Sequence, residues 1–289
     1  MSEGDEGRAA DPPLEDENPS ASPGTESSSD APPVVQERRG PILIVTLNRP
    51  RRLNAVNEAL YRALLAALRG GAEDPDVRVA VLTGAGRAFC AGADLKAHAQ
   101  GPPPAAARRR YVRLAQRVNR RLQLGPLPVV AAVNGPAVGA GLELALSADF
   151  MIVAEEARLR LPEVALGTFV GGGVVYTLAD RVGVARAREL IYFGDFVSGV
   201  EAAEMGMADR AVPGERVLPV AREWAERLAR RAPLSLAAAK RLIGPGGTLP
   251  RRRALRAEAR VLEELFGTHD WAEGVSAFTD GRPPRFEGR

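Results

Sequence analysis

Ala132-Val133-Asn134-Gly135-Pro136-Ala137-Val138-Gly139-Ala140-Gly141-Leu142-Glu143-Leu144 is the stretch on which the reading of this chain turns. It opens with the end of a short, β-branched run from Val129, the pattern of a buried strand. A turn of small residues follows, then a short helix bearing Leu142, Leu144 and Leu146. Glycines at 139 and 141 let the backbone come close to a ligand. The helix start offers unpaired N–H groups and the positive end of a dipole, which suit an anion or a developing oxyanion. Glu143, three residues after Ala140, falls on the same face as the Ala140 N–H. A tight strand-to-helix turn that needs small residues for packing alone would read the same way.

Outward from this stretch, strand and helix alternate. Upstream, Ile42–Leu47 and Val77–Thr83 read as buried strands. Between them lies a helix on Leu60, Leu64, Leu65 and Leu68 that Gly70-Gly71 should stop. Gly101 and Pro102–Pro104 separate a loop from a long helix striped by Tyr111, Leu114, Val118 and Leu122. Downstream, Phe150–Val153 and Leu159–Leu161 are the next strands, the second ending at Pro162-Glu163. Beyond Gly171-Gly172-Gly173 the pattern is mostly helical to Phe278. This order predicts an α/β fold with crossovers between parallel strands and a helical layer over the last third. The expected division is an acidic, disordered tail over 1–33, an α/β core over 34–230, and a C-terminal helical oligomerisation region over 231–289. Val217, Leu218, Ala221, Trp224, Leu236, Ala239, Leu242, Leu262, Leu265 and Phe266 exceed what one helical cap would bury, which predicts a closed cyclic oligomer.

Composition narrows the chemistry. The 289 residues are 45% hydrophobic and contain one cysteine, Cys90, and two histidines, His98 and His269. An internal disulfide is ruled out and a zinc site is poorly supplied, so no metal is expected. No apolar run approaches the roughly 20 residues of a membrane span, and no apolar h-region opens the chain, so a soluble, cytoplasmic protein is expected. Residues 1–33 carry nine acids against the single base Arg8, leaving +11 on the rest of a chain whose total is +3. Such a body suits an anionic partner, either a phosphate-bearing ligand or a nucleic acid. All but two of the 39 bases, Lys96 and Lys240, are arginine, and this bias fits a GC-rich genome better than a functional demand.

Other candidates carry competing readings. Ala91-Gly92-Ala93 follows a strand end and could supply a second set of amides, while Asp94 fits the cap of the following helix. Cys90, between Phe89 and Ala91, reads as a small buried hydrophobe rather than a nucleophile. Pro162-Glu163 is a common helix start as well as a possible catalytic position. Gly171–Gly173 lacks the Gly-Lys-Ser/Thr of a nucleotide loop. Arg108–Arg110 and Arg251–Arg253 are solvated faces or contacts for phosphates.

Taken together, four segments resemble the enoyl-CoA hydratase/isomerase (crotonase) superfamily, closest in pattern to enoyl-CoA hydratases. They are Val45–Pro50 with Leu53-Asn54-Ala55, Ala88–Leu95, Ala132–Leu144, and Leu161-Pro162-Glu163, in the family's order and separations over about Val35 to Phe286. The resemblance implies a crotonase-like spiral of ββα units with a C-terminal helical layer, assembled as a homotrimer or hexamer. It implies an oxyanion hole from the Ala93 and Ala140 N–H groups, acyl-CoA contacts over Ala91, Ala93, Asp94, Leu95, Lys96 and Gly139, and catalysis by Glu143 and Glu163. The 20 residues between the two glutamates are the hydratase spacing. No cofactor is implied beyond coenzyme A as the substrate's handle. Its phosphates would meet Lys96 and arginines such as Arg251 or Arg256.

Two departures stand out. Position 140 is Ala where many members have Gly, and Val170–Tyr176 replaces a Pro-Gly-Ala-Gly-Gly-Thr-Gln segment beside the acyl pocket. The implied reaction is addition of water across the C2–C3 double bond of a 2-enoyl-CoA. A double-bond isomerase needs only one carboxylate. The altered segment also admits a thioester hydrolase or tailoring enzyme on an unusual acyl-CoA. RNA binding is the non-enzymatic rival, permitted by charge but without an aromatic-rich RNA-binding motif.

Overall fold

Val34–Arg39 (β1) and Ile42–Leu47 (β2) form an antiparallel hairpin at the edge of the main sheet. β1 presents Gln36, Glu37, Arg38 and Arg39 to solvent, a charged edge that resists pairing with other chains. The strands behind it, Val79–Gly84 (β3) and Val129–Val133 (β4), are buried at every residue, as expected of parallel strands covered on both faces. Phe150–Ala154 (β6) and Arg210–Val212 (β9) complete a six-stranded sheet in the order β1-β2-β3-β4-β6-β9, parallel from β2 onward. A smaller sheet contains Ala137–Val138 (β5), Arg158–Arg160 (β7) and Val197–Ser198 (β8), with β5 and β7 parallel and β7 and β8 antiparallel.

The computed structural model describes residues 31–94, 104–244 and 250–289; the acidic stretch through residue 30, together with Leu95, Lys96, His98 and Gly101–Pro103, lies outside them. Within the described residues the chain winds between the two sheets. β4 leads to β5 and the helix Ala140–Leu146 (α3); β6 leads to β7 and the helix Val174–Phe193 (α4). β8 then leads through Gly199–Glu204 (α5) to β9. The first two of these turns are strand, strand, helix. Pro32–Arg289 form one compact unit, in which no described helix is long and apolar enough to cross a membrane.

Two expectations are corrected. The first helix, Glu58–Glu73 (α1), runs through Gly70-Gly71 instead of stopping there. A Cβ on Gly71 would stand 2.5 Å from Leu43 Cδ2, so this glycine makes room for the helix to lie on β2. The last third is mostly helical, as expected, and also holds β8 and β9; strands of two and three residues are too short to show a period. Finally, the helix Val217–Ala229 (α6) turns Val217, Val220, Ala221 and Ala225 inward onto β3 and β4, so Val217 and Ala221 cover this chain's own sheet and not a partner. Strand ends also shift by a residue or two, to Val79–Gly84 and Arg158–Arg160.

Pro233–Ile243 (α7), Arg251–Phe266 (α8) and His269–Thr279 (α9) close the fold. α7 is tied to the sheet by Lys240, whose buried Nζ donates to Asp149 Oδ2 at 2.6 Å and to the Leu127 carbonyl at 3.0 Å. The same Asp149 oxygen accepts the Val129 N–H at 2.7 Å, so one carboxylate holds α7, β4 and β6 together. Asp270 accepts the N–H groups of Glu287 and Gly288 at 2.7 and 2.9 Å and brings the chain end back onto α9. Removing one partner of a buried pair strands the other charge. Lys240→Met is therefore expected to cost about 3 kcal/mol in urea unfolding at pH 7. A variant as stable as the parent would show that the pair does not hold α7.

Candidate active site

The parallel pairing of β5 with β7, Val138 opposite Arg160, sets two segments side by side. On the first, Gly139 turns the chain from β5 into α3 with φ 51° and ψ −122°, backbone that favours glycine. Its N–H donates to the Arg160 carbonyl at 2.8 Å, and its carbonyl accepts the Glu143 N–H at 2.9 Å. On the second, Pro162 follows β7 and Glu163 opens a turn in which the Leu166 and Thr168 N–H groups donate to the Glu163 carbonyl. Pro162-Glu163 thus begins a turn, not the helix that the dipeptide also permits. A Cβ on Gly139 would stand 2.6 Å from Glu163 Oε1. That glycine therefore makes the turn and leaves room for the carboxyl.

Glu143 and Glu163 are both buried, with 6% and 9% of their surface exposed. Glu143 Oε1 accepts the Gly171 N–H at 2.6 Å. Glu163 Oε2 has no hydrogen-bond partner among the described residues. Burial pushes the Glu143 carboxyl up to about 7; the Gly171 N–H opposes the rise and the charge of Glu163 adds to it. Burial also raises Glu163. Tyr61 from α1 and Tyr111 from the helix Ala105–Leu124 (α2) pack together near Glu143 with their rings tilted 60° and their centroids 5.6 Å apart, both phenols raised by burial and so neutral. A carboxyl raised to about 7 can take up a proton or give one away near neutral pH, and Glu143 is such a group.

A second amide stretch lies alongside. Cys90 bridges to Ala137, with the Cys90 N–H on the Pro136 carbonyl at 3.1 Å and the Val138 N–H on the Cys90 carbonyl at 3.0 Å. Ala93 bridges to Val56, but the bonds are made by its neighbours: Val56 N–H to the Gly92 carbonyl and Asp94 N–H to the Val56 carbonyl. The Ala93 N–H therefore points away from Val56. Ala140, the first residue of α3, has no intrahelical acceptor for its own N–H. The stretches are close: a Cβ on Gly92 would stand 3.8 Å from the Ala140 nitrogen. Ala91, Ala93 and Ala140 are all half-buried and open to a ligand. Two such amides can hold an oxyanion.

Asp94 pairs with Arg49 at 2.9 Å; the residues it was expected to cap, from Leu95 onward, lie outside the described residues, and the next described helix, α2, begins at Ala105 without a side-chain cap. The Arg49 guanidinium also donates to the Ala55 carbonyl. Asn54, fully buried, donates to the Ala85 and Ala88 carbonyls at 2.9 and 2.8 Å. Arg49 and Asn54 therefore fix the 85–94 loop, a role that reading the residues alone missed; an asparagine inside an apolar stretch was the available signal. Cys90 is a packed thiol, pushed up to about 12 by burial and donating to the Asn54 carbonyl. The Gly171 N–H faces Glu143 and not a phosphate. Leu95 and Lys96 fall outside the described residues. Among the described residues no three His, Cys, Asp or Glu side chains converge as a metal requires.

A carboxyl whose pKa is raised on folding favours the folded state below its unfolded pKa and loses that contribution as pH rises through about 7. Glu143→Gln should therefore match the parent's stability near pH 4 and exceed it at pH 8, by on the order of 2–3 kcal/mol. Urea unfolding at the two pH values measures the gap. A constant gap would mean that Glu143 is not raised.

A family model described as enoyl-CoA hydratase/isomerase matches residues 37–289. A putative enoyl-CoA hydratase of Thermus thermophilus is 40% identical over 88% of this chain and 100% of its own length. A 2,3-dehydroadipyl-CoA hydratase of Escherichia coli is 36% identical over 89% and 99%. The crystal structure of an enoyl-CoA hydratase from Bacillus anthracis superposes with a TM-score of 0.84 at 36% identity, covering 89% of this chain and 100% of that one. With its turns of two strands and a helix and its C-terminal helices, this chain has the crotonase fold and belongs to the enoyl-CoA hydratase/isomerase family.

Proposed function

We propose that this protein is an enoyl-CoA hydratase, adding water across the C2–C3 double bond of a 2-enoyl-CoA thioester. The observation that carries the reading is the pair of buried glutamates, Glu163 against Gly139 and Glu143 on the helix that Gly139 opens, near enough for the charge of Glu163 to act on Glu143, with the Ala93 and Ala140 amides on the adjoining stretches. In the proposed reaction the two N–H groups take the thioester oxygen as it becomes an enolate, each contributing roughly 3 kcal/mol. One glutamate deprotonates water for attack at C3, and the other supplies a proton at C2. The burial that raises both carboxyls keeps one proton in the pair, so acid and base are present together near neutral pH. An isomerase would need only one of them.

The proposed CoA contacts are Ala91, Ala93, Asp94, Leu95, Lys96 and Gly139, with Asp94 held in place by Arg49. The coenzyme belongs to the substrate, and the proposed chemistry uses no other cofactor. Arg251 and Arg256, exposed on α8, are proposed to meet its phosphates. Assembly as a homotrimer or hexamer is supported by the apolar surface left by Leu262, Phe266, Trp271, Val275 and Phe278 on α8 and α9. A cytoplasmic setting is supported by the single, buried, unbridged Cys90.

A panel of 2-enoyl-CoAs tests the reading. Hydration without migration of the double bond is expected, and migration alone would replace the hydratase by an isomerase. Glu143→Gln and Glu163→Gln should each lower turnover about 10²–10⁴-fold with little change in acyl-CoA affinity. The double variant should fall far short of the product of the two losses, because both serve one proton-transfer event. Full activity in Glu143→Gln would end the two-carboxylate reaction.

A further inference from the structure

The loop that presents the Gly171 N–H to Glu143 has no side chains of its own to hold it. Gly171, Gly172 and Gly173 succeed one another, the last two at φ 61° and 85°. Three polar side chains from two helices reach it. Asn119 and Gln123 lie one turn apart on α2, and Ser147 ends α3; Asn119 and Ser147 are 1% and 2% exposed. Asn119 Nδ2 donates to the Ala115 carbonyl at 3.1 Å, and the Ser147 hydroxyl donates to Asn119 Oδ1 at 2.9 Å. Gln123 Nε2 donates to Ser147 Oγ at 2.9 Å and to the Gly172 carbonyl at 2.5 Å. The network therefore runs from the α2 backbone to the glycine loop, and the Gly172 carbonyl is its contact outside the two helices. A Cβ on Gly172 would stand 2.9 Å from the Asn119 amide, so the network also packs against the loop.

We propose that Gln123, braced by Ser147 and Asn119, is a positioning residue that holds the Gly171–Gly173 loop so that the Gly171 N–H bonds Glu143. Two buried polar groups, Asn119 and Ser147, and the half-buried Gln123 are costly unless their donors are used, and apolar side chains would pack α2 on α3 as well. What apolar side chains would not do is grip a backbone carbonyl. Gln123, Ser147 and Thr177 also line a cavity of about 430 Å³, so close packing does not replace the grip there.

The consequence falls on Glu143. The groups that face it are Glu163 from the turn after β7, Tyr61 from α1, Tyr111 from α2 and Cys90 from the 85–94 loop. The two phenols and the thiol are neutral near pH 7, and Glu163 raises Glu143 further. The Gly171 N–H opposes burial and Glu163 together, so loosening the loop should make Glu143 less acidic.

This inference rests on the proposed role of Glu143, and the test separates the two. Gln123→Leu removes the donor at similar volume; Gln123→Met, unbranched and of similar length, serves if leucine prevents folding. The Glu143 side-chain carboxyl is titrated by ¹³C NMR, assigned by its loss in Glu143→Gln, with no substrate present. The expected result is a midpoint about one unit higher than in the parent, with the limb of the pH–rate profile that belongs to Glu143 moved the same way. Turnover at pH 7 should fall about 10-fold with KM within about two-fold. Ser147→Ala, which keeps the Gly172 contact, should move the midpoint less. An unmoved midpoint in a folded Gln123 variant, even with reduced turnover, would reduce Gln123 to packing and overturn the proposal. A parent protein that hydrates no enoyl-CoA would end the proposed function while leaving the NMR test of Gln123 standing.

Discussion

Two residues of strand pairing support everything else at the site. β5 and β7 are short, and their register, Val138 opposite Arg160, sets the turn at Gly139 against the turn at Glu163. A slip of one residue would face each strand the wrong way and part the two carboxyls. The register is held from outside: the Gly139 N–H takes the Arg160 carbonyl, and Cys90 pairs with Ala137 on the other edge of β5. Behind it, Asn54 and Arg49 hold the loop that carries Cys90, Ala93 and Asp94. The spiral winding makes this possible, because each turn returns a strand to the small sheet beside the previous one.

From that geometry the electrostatics follow. Burial disfavours charge on Glu143 and Glu163, and the charge of Glu163 further discourages ionisation of Glu143. One backbone N–H, from Gly171, works in the opposite direction and keeps Glu143 near neutrality, where a proton can move either way. Placing Glu143 on the first turn of α3 also puts it beside the positive end of that helix. The chemistry proposed here thus needs no unusual residue; it needs ordinary carboxyls kept out of water.

Much of this was legible from residues alone. The buried strands declared themselves by continuous β-branched runs, and the small-residue turn before Glu143 marked a helix start with exposed amides. Cys90 read as a packed thiol, and it is one. The failures have physical causes. β8 and β9 are shorter than a period, so neither strand showed within the mostly helical last third. Gly70-Gly71 looked like a stop, because nothing local reveals that Leu43 will press on position 71. The ion pair of Asp94 with Arg49 spans 45 residues, so nothing local announced it. Glu163 beside Gly139, and Gln123 reaching Gly172, are likewise contacts between distant segments, and only the assembled fold supplies them. The pairing of Glu143 with Glu163 was reached through resemblance to a family, not through spacing.

The central claim is that the two buried glutamates and two amides add water to a conjugated thioester. Isotope placement tests it most directly. When a 2-enoyl-CoA is turned over in ²H₂¹⁸O and the product is examined by mass spectrometry and NMR, ¹⁸O should appear at C3 and one deuterium at C2. A 3-enoyl product with deuterium at C2 and no ¹⁸O at C3, the mark of a migrated double bond, would contradict it.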